Sequence, residues 1–228
     1  MRAPLSDPRR VIAAVGLARE ARIAESGQVH AVIGGGDEAG LADGLKRAVA
    51  QGAAGIISFG IAGGLDPVLK PGTCVVGSVV SEGNRRWRTD PAWSKNLLAA
   101  LPRAVFAEIA GIDRPVATVD HKRLLRSMTG AAAVDMESHV VGRIAAEAGL
   151  PFAIVRVICD PADRALPPAA LAGVRRDGTT NPRAVLASLL TQPSQLFALL
   201  GLAGDARVAF SELKRRRKGA GNGFGFAR

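Results

Sequence analysis

The chain has 228 residues, enough for one substantial α/β domain or two small ones, and its 48% hydrophobic content supports a real core. Aromatic residues make up only 4% and Tyr is absent, so the stacking platforms that bind single-stranded nucleic acid are not expected. The formal net charge is +10, but six basic residues lie in 214–228, where Asp and Glu do not occur. The rest of the chain is therefore only mildly basic.

Apolar runs and helical repeats alternate along the first half of the chain. They predict strands at 11–15 and 29–33, a helix at 38–51, a strand at 54–58, a Gly-rich loop at 60–65 and a strand at 74–80. Asp37 can cap the helix and Gly52 ends it. The polar residues 81–92, which include Arg85, Arg86 and Arg88, predict a long and mobile loop.

The second half continues the alternation and predicts an α/β fold. The pattern indicates helices at 91–101, 120–129, 137–148, 181–190 and 193–214, and strands at 104–109, 115–119, 132–134 and 152–158. Such an order is typical of one domain with a mostly parallel sheet, in which ligands bind beyond the carboxyl ends of the strands. Gly16–Glu20, Gly60–Gly64 and Asp160 are therefore expected at one rim.

The last segment, 214–228, is basic and Gly-rich, which predicts a disordered tail after a domain at 1–213. Three interpretations of the tail remain open: a solvated end that aids solubility, contact with anionic lipid, and contact with nucleic acid. The third depends on the tail alone, so we expect no nucleic-acid partner.

Cys74 and Cys159 form no spacing motif and are typical of a reducing compartment. The three His residues are scattered, so no metal site is expected. The apolar run 11–18 is too short to cross a membrane, and no signal peptide is recognisable. We therefore expect a cytoplasmic protein, with membrane association through the basic tail as an open alternative.

Two carboxylates from different elements are expected to face one pocket. Asp160 ends an apolar strand, where partial desolvation raises a carboxyl pKa and makes it a usable general acid. Glu137 stands in the first turn of a helix, where it can accept hydrogen bonds from vicinal hydroxyls. The plainer interpretations are a turn-forming Asp before Pro161 and a favourable charge at a helix N-terminus. Arg156, on the same buried strand as Asp160, is expected to pair with a carboxylate.

The Gly-rich segment Gly60-Ile61-Ala62-Gly63-Gly64 lets the backbone approach a ligand and offers N–H groups to an anion or a hydroxyl. It has neither the GxGxxG nor the GxxxxGK[ST] order, so the nucleotide-cofactor motifs are not supported. No GxSxG motif for a serine nucleophile is present either.

Together these segments resemble the nucleoside phosphorylase and nucleosidase superfamily, over about residues 11–213. The resemblance rests on Val11–Ile23 with Gly16 and Glu20, on Ser58–Leu65, and on Val134–Ser138 joined to Val155–Asp160. Within the superfamily the chain looks most like the hopanoid-associated phosphorylases, because of segments 129–138, 160–168 and 186–213. The resemblance implies a single-domain, three-layer α/β/α fold with a central mixed, mostly parallel twisted sheet.

The resemblance also implies roles for individual residues. Asp160 would protonate the purine at N7, Met136 would pack against the sugar, and Glu137 would hold the 2′- and 3′-hydroxyls. The nucleophile would bind near Gly16, Ile61, Ala62 and Gly63, and the stretch Thr118–Lys122 would lie near the base. Residues Val119, Asp120 and Cys159 are the specific candidates for the base region.

The nucleophile is the point at which the chain departs from the phosphorylases it resembles. Those enzymes place an Arg four residues after the first-loop Gly, where this chain has Glu20, and an Arg and a Ser around the Gly-rich segment, where it has Ser58 and Ile61. Losing several charge-assisted hydrogen bonds, at about 1.5–3 kcal/mol each, weakens phosphate binding. We therefore favour water activated by Glu20, with inorganic phosphate as the alternative co-substrate if Arg19, Arg22 or the group Arg85–Arg88 replaces the missing contacts. No cofactor is expected.

The predicted reaction is cleavage of the N-glycosidic bond of a 5′-substituted adenosine, with adenosylhopane, a lipid-linked nucleoside, as the favoured substrate. The alternatives are a methylthioadenosine/adenosylhomocysteine nucleosidase, a purine nucleoside phosphorylase and a non-catalytic nucleoside-binding protein. A homodimer is expected from the resemblance alone.

Overall fold

The computed structural model describes residues 10–172, 178–179, 181–192 and 194–226. Strands and helices alternate through most of this range, as predicted. In chain order the elements are β1 (Val11–Val15), α1 (Ala18–Ala24), β2 (Val29–Ile33), α2 (Glu38–Ala50), β3 (Gly55–Gly64), β4 (Cys74–Glu82), β5 (Arg85–Arg88), α3 (Pro91–Ala100), β6 (Val105–Gly111), α4 (Val119–Thr129), β7 (Ala133–Asp135), α5 (Ser138–Ala148), β8 (Phe152–Asp160), α6 (Pro168–Ala172), α7 (Pro182–Thr191) and α8 (Gln195–Gly219).

The described strands form one mixed sheet of eight strands. The pairs β1–β2, β1–β3, β3–β8, β4–β6 and β6–β7 are parallel, whereas β3–β7, β4–β5 and β4–β8 are antiparallel. The predicted mixed, mostly parallel sheet is therefore confirmed. Because β8 pairs with β3 and β4, and β7 with β3 and β6, five of these strands pair in a closed circuit.

Two apolar clusters cover the two faces of the sheet and account for the three layers. One cluster joins the sheet to α1, α3 and α8, and the other joins it to α2 and α5. Along β8, Val155 and Val157 enter the first cluster, while Ile154 and Ile158 enter the second. Since side chains alternate along a strand, Arg156 stands on the face that packs against α2 and α5.

The Gly-rich segment 60–65 is mostly strand, not loop, which corrects the prediction. β3 continues to Gly64, pairing Gly60 with Arg156 and Gly63 with Asp160 on β8. The glycines hid this extension because they carry no side chains and so give no alternating pattern. Ile61, Ala62 and Gly63, expected on a loop, thus pair with β8, and Gly63 also pairs with β7.

Two further segments differ from expectation. The predicted loop 81–92 contains the end of β4 and all of β5, which pairs antiparallel with β4 as an Arg-rich edge strand. Charged residues are common on edge strands, so the polarity of this segment does not indicate a loop. The predicted strand 115–119 does not form, because the Thr118 side chain accepts from His121 N and caps α4 at that point.

The prediction of a disordered tail is wrong for residues 214–226. Helix α8 continues to Gly219, and the chain then turns so that Phe224 lies buried against Phe59. The Arg217 guanidinium donates to Ala24 O, and its central carbon lies 4.3 Å from the centre of the Phe224 ring. Apolar residues late in the segment therefore anchor it, which composition alone did not reveal. Within the described ranges no helix combines the length and apolar character needed to cross a membrane.

Candidate active site

Glu20 is a buried carboxylate in the first turn of α1, and three backbone amides donate to it. Its Oε2 accepts from Gly16 N at 2.9 Å and from Leu17 N at 2.7 Å. Its Oε1 accepts from Ile61 N, on β3, at 2.7 Å. These three N–H groups form a nest of the kind that binds anions, and the protein fills it with its own side chain.

Arg156 forms ion pairs with two carboxylates at this end of the sheet, so the expectation that it pairs with one is confirmed. Its Nε lies 2.6 Å from Asp135 Oδ2, and its Nη2 lies 3.0 Å from Glu137 Oε2. Nη2 also donates to Ser58 Oγ at 2.5 Å. We call Glu20, Ser58, Asp135, Glu137 and Arg156 the Arg156 cluster.

Asp135 holds the start of α5 and so positions Glu137. Its Oδ1 accepts from Glu137 N at 3.1 Å and from Ser138 N at 2.8 Å. The Ser138 hydroxyl contacts Asp135 Oδ2 and lies 2.9 Å from Ser58 Oγ. Asp135 therefore has a structural role, while Glu137 keeps one oxygen, Oε1, directed toward Gly16.

The Arg156 cluster contains one guanidinium and more carboxylates than it can neutralise. Burial raises the pKa of Glu137 to about 7, with the Asp135 and Glu20 charges adding to the rise and the Arg156 charge opposing it. Burial also raises the pKa of Glu20, against the lowering effect of Arg156 and of the three amide donors. Glu137 and Glu20 can therefore exchange protons nearer to neutral pH than ordinary carboxyl groups.

Two glycines are required for this close approach. A Cβ on Gly60 would lie 2.5 Å from Glu20 Oε1 and 2.7 Å from Arg156 Nη1. A Cβ on Gly16 would lie 2.7 Å from Glu137 Oε1 and 3.5 Å from Glu20 Oε2. Gly16 thus lies between the two carboxylates, which brings Glu20 and Glu137 to one place.

Asp160 stands further along the sheet and pairs with a buried lysine. Lys122 Nζ lies 2.6 Å from Asp160 Oδ2 and also donates to Pro161 O at 2.8 Å and to Arg164 O at 2.9 Å. Burial raises the pKa of Asp160, although the Lys122 ammonium opposes the rise. The desolvation predicted for a carboxyl at the end of β8 is therefore present.

Positions along β3 give the separation between Asp160 and the Arg156 cluster. Gly60 lies beside Glu20, and Gly63 lies beside Asp160, with its would-be Cβ 3.2 Å from Asp160 Oδ2. Three residues of strand span roughly 10 Å. That length suits a small molecule with one polar group at each end, such as a base linked to a sugar.

The other predicted site residues, Met136, Val119, Asp120 and Cys159, differ in their surroundings. The Met136 methyl group would be 3.6 Å from a Cβ on Gly36. Val119 lines a cavity of about 490 Å³ together with Leu65, Ala162 and other residues, although neither Asp160 nor Glu137 lines that cavity. The Asp120 side chain is 89% exposed and pairs with Arg123. The place of Asp120 in the base region stays a prediction.

Cys159 packs into the core on the α8 side, so its side chain is not part of the site. Burial raises the pKa of its thiol to about 12. The alternation along β8 explains this position, because Cys159 is next to Asp160 and turns to the opposite face.

Sequence reasoning missed the contributions of Lys122 and Ser138 and the central place of Arg156. Lys122 lay within the stretch assigned to the base region, but nothing in the sequence indicated that it reaches Asp160. Arg156 did carry a signal, because a guanidinium in an apolar strand demands a buried partner. Two of the arginines considered as substitutes for phosphate contacts have other partners: Arg19 stacks on Phe210 at 4.1 Å and Arg86 pairs with Glu108 at 2.5 Å.

A separate group, Glu38, Asp113 and His139, places potential metal-ligand atoms within 4.8 Å of one another. His139 Nε2 lies 3.1 Å from Asp113 Oδ1, and Arg143 Nη2 lies 2.7 Å from Glu38 Oε1. The Arg143 guanidinium disfavours a cation here, and these ion pairs account for the arrangement.

Comparison with known proteins gives one family match and several similar structures. The family model described as Phosphorylase superfamily matches residues 18–191. A mutant of Helicobacter pylori MTAN with 5′-methylthioadenosine in the active site is similar in structure, with a TM-score of 0.64, 14% identity, and coverage of 92% of this chain and 98% of that one. Futalosine hydrolase of H. pylori has a TM-score of 0.64 at 15% identity, covering 92% and 98%.

A third similar structure is 5′-methylthioadenosine/S-adenosylhomocysteine nucleosidase from Neisseria meningitidis in complex with methylthio-immucillin-A. It has a TM-score of 0.63 at 18% identity, covering 92% of this chain and 97% of that one. At these identities the likeness shows the fold. A search of curated protein sequences finds no match.

Proposed function

The chain belongs to the phosphorylase superfamily, and from this premise we infer that it cleaves the N-glycosidic bond of an adenine nucleoside by attack of water. The membership confirms the predicted enzyme class. The choice of water, the residue roles and the substrate are proposals that the following observations support.

The observation that carries the proposal is the occupation of the anion nest by Glu20. The amides of Gly16, Leu17 and Ile61 all donate to its carboxylate, and Arg156 lies beside it. A phosphate ion would have to displace a buried carboxylate that already accepts three hydrogen bonds, or bind without these donors. A carboxylate offers about four lone-pair sites, so one remains for a water molecule.

The proposed mechanism assigns one proton transfer to each end of the site. Asp160 donates a proton to N7 of the base, so the electron pair of the C1′–N9 bond can leave with neutral adenine. Glu20 accepts a proton from the attacking water molecule as the water oxygen bonds to C1′. Glu137 accepts hydrogen bonds from the 2′- and 3′-hydroxyls, and Met136 packs against the sugar. Adenine and the free sugar are the products, and exchange with solvent restores both carboxyl groups.

We propose adenosylhopane as the substrate, on the resemblance of segments 129–138 and 160–168 to the hopanoid-associated branch. The second candidate is methylthioadenosine or adenosylhomocysteine. Two similar structures favour it, one with 5′-methylthioadenosine in its active site and one a 5′-methylthioadenosine/S-adenosylhomocysteine nucleosidase. Ile61, where other members have a polar residue, counts mildly toward the apolar substrate. A homodimer remains a proposal from the family.

The test is adenine release by the purified protein from adenosylhopane, methylthioadenosine, adenosylhomocysteine and adenosine, with and without phosphate. We expect phosphate-independent release and the highest kcat/KM for adenosylhopane. Highest efficiency with methylthioadenosine would assign the second candidate. Nucleoside binding without adenine release would indicate a non-catalytic nucleoside-binding protein. Asp160→Asn serves as the inactive reference.

A further inference from the structure

One continuous face of α8 is exposed along its whole length. At helical spacing the exposed positions are Leu196, Phe197, Leu200, Ala203, Gly204, Arg207, Val208, Ser211, Lys214, Arg215 and Lys218. We call this set the α8 stripe. Its first half is apolar and its second half is basic, so polarity changes along the helix rather than around it.

The apolar half exposes side chains that are normally buried. Phe197 is 83% exposed and Leu200 is 61% exposed. On the preceding helix in the chain, α7, Leu186 and Leu190 are also exposed and lie one turn apart. Contiguous exposed apolar residues of this kind mark interaction surfaces, whereas isolated ones are ordinary.

The charge of the stripe has one sign. The two acidic residues of α8, Asp205 and Glu212, are turned aside and paired, with Arg164 and with Arg215 and Arg216 respectively. No carboxylate therefore belongs to the stripe, while Arg207, Lys214 and Lys218 are exposed on it. Exposed Leu and Phe beside Lys and Arg are the features of helices that lie in a membrane interface.

From this stripe we infer that α8 docks the protein on the surface of an anionic phospholipid bilayer. Leu196, Phe197 and Leu200 enter the headgroup and acyl boundary, and the basic residues contact lipid phosphates. A second copy of the chain is a poorer occupant. A symmetric interface pairs a surface with itself, and the stripe has no carboxylate to offer its own basic residues.

The inference differs from the expected contact through a disordered basic tail. Arg216 and Arg217 of that segment are buried within the protein, so they do not reach a membrane. It is also independent of the proposed reaction, because it rests on surface residues that take no part in the Arg156 cluster or in the Lys122–Asp160 pair.

The test is flotation of the full chain with vesicles of phosphatidylcholine alone and of phosphatidylcholine mixed with phosphatidylglycerol. We expect binding to the mixed vesicles that weakens at high salt. The double variant F197S/L200S should bind the mixed vesicles at least about tenfold more weakly than the wild type, and so should K214A/K218A. Matched controls are Met128→Ser, an exposed apolar residue on α4, and K46A/K95A, exposed lysines on other helices.

Absence of binding to mixed vesicles at low salt would overturn the inference, as would equal binding by F197S/L200S and the wild type. Sedimentation velocity supplies the other arm. If F197S/L200S abolishes a dimer and vesicle binding is absent, the stripe belongs to a second copy. Circular dichroism and adenine release check that the surface variants remain folded.

Discussion

The Glu20 carboxylate accepts a hydrogen bond from the backbone amide of Ile61 at 2.7 Å, joining the first turn of α1 to the middle of β3. The two residues are far apart in the chain, and Ile61 contributes its amide rather than its side chain. This bond, with those from Gly16 and Leu17, closes the nest that an external anion would need. Specificity for the nucleophile therefore depends on what occupies the nest.

Glu20→Ala should lower adenine release by about 10²–10⁴-fold, because the general base is lost. The same change opens the nest, so formate should restore part of the activity. Phosphate should now accelerate the variant while leaving the wild type unaffected. Steady-state kinetics with each anion measures both effects.

The matched control is Glu25→Ala, an acidic residue at the end of α1 that is well exposed. It should keep wild-type rates with and without either anion. Full activity in Glu20→Ala would show that Glu20 is not the base, and phosphate stimulation of the wild type would show that the nest can be vacated.

Asp160→Asn should lower kcat by about 10²–10⁴-fold and leave the melting temperature little changed. The loss should shrink for nucleosides whose base leaves without protonation, which can be measured with a substrate that carries an activated leaving group. Asp163→Asn, an exposed neighbour, is the control. An equal loss for all leaving groups would exclude proton donation by Asp160.

Lys122→Met should move the alkaline limb of the pH–rate profile to higher pH. The Lys122 ammonium lowers the pKa of Asp160, so its removal allows Asp160 to stay protonated further into the alkaline range. A kcat profile over a wide pH range gives the shift directly. A limb that stays in place, in a variant that is still folded, would mean that Lys122 does not set the protonation of Asp160.

Glu137 should make the protein less stable as pH rises. Its pKa is raised from 4.5 to about 7, so the folded state binds a proton that the unfolded state has released. The stability from this group is full below pH 4.5 and is lost as pH rises through about 7. The size is on the order of 3 kcal/mol.

Chemical denaturation across this pH range tests the effect. In Glu137→Gln the group no longer titrates, so the decline in the free energy of unfolding between pH 4.5 and 7 should be smaller than in the wild type. Identical slopes for the two proteins would contradict the raised pKa. Glu147→Gln, an exposed residue on the same helix, should reproduce the wild-type slope.

Arg156→Met should destabilise the fold by about 3–5 kcal/mol, because it leaves Asp135 and Glu137 buried without their cation. The loss should be larger at pH 8 than at pH 5, because the raised pKa of Glu137 keeps that carboxyl group mostly protonated at the lower pH. Thermal unfolding at both pH values gives the comparison. A change within 1 kcal/mol at both would mean that the ion pairs contribute little.

Much of the fold could be predicted because its signals are local. Buried runs such as 11–15 and capping residues such as Asp37 depend on neighbours in the chain, and the corresponding elements are present. The extension of β3 through Gly60–Gly64 could not be seen, because it depends on pairing with β7 and β8 rather than on side-chain pattern.

The candidate site divides in the same way. Asp160 and Glu137 could be named because each ends or begins an element with a recognisable pattern. The Lys122–Asp160 contact depends on α4 reaching β8, and the Arg156–Asp135 contact depends on β7 lying near β8. Neither relation is local, so side-chain types alone did not predict it.

The measurement closest to the central claim is ³¹P nuclear magnetic resonance of the reaction run in excess phosphate with the best adenine nucleoside. If Glu20 fills the nest and water attacks C1′, adenine will accumulate while inorganic phosphate remains the sole phosphorus signal. A sugar 1-phosphate signal that grows in step with adenine would show that phosphate reaches C1′ and that Glu20 does not exclude it.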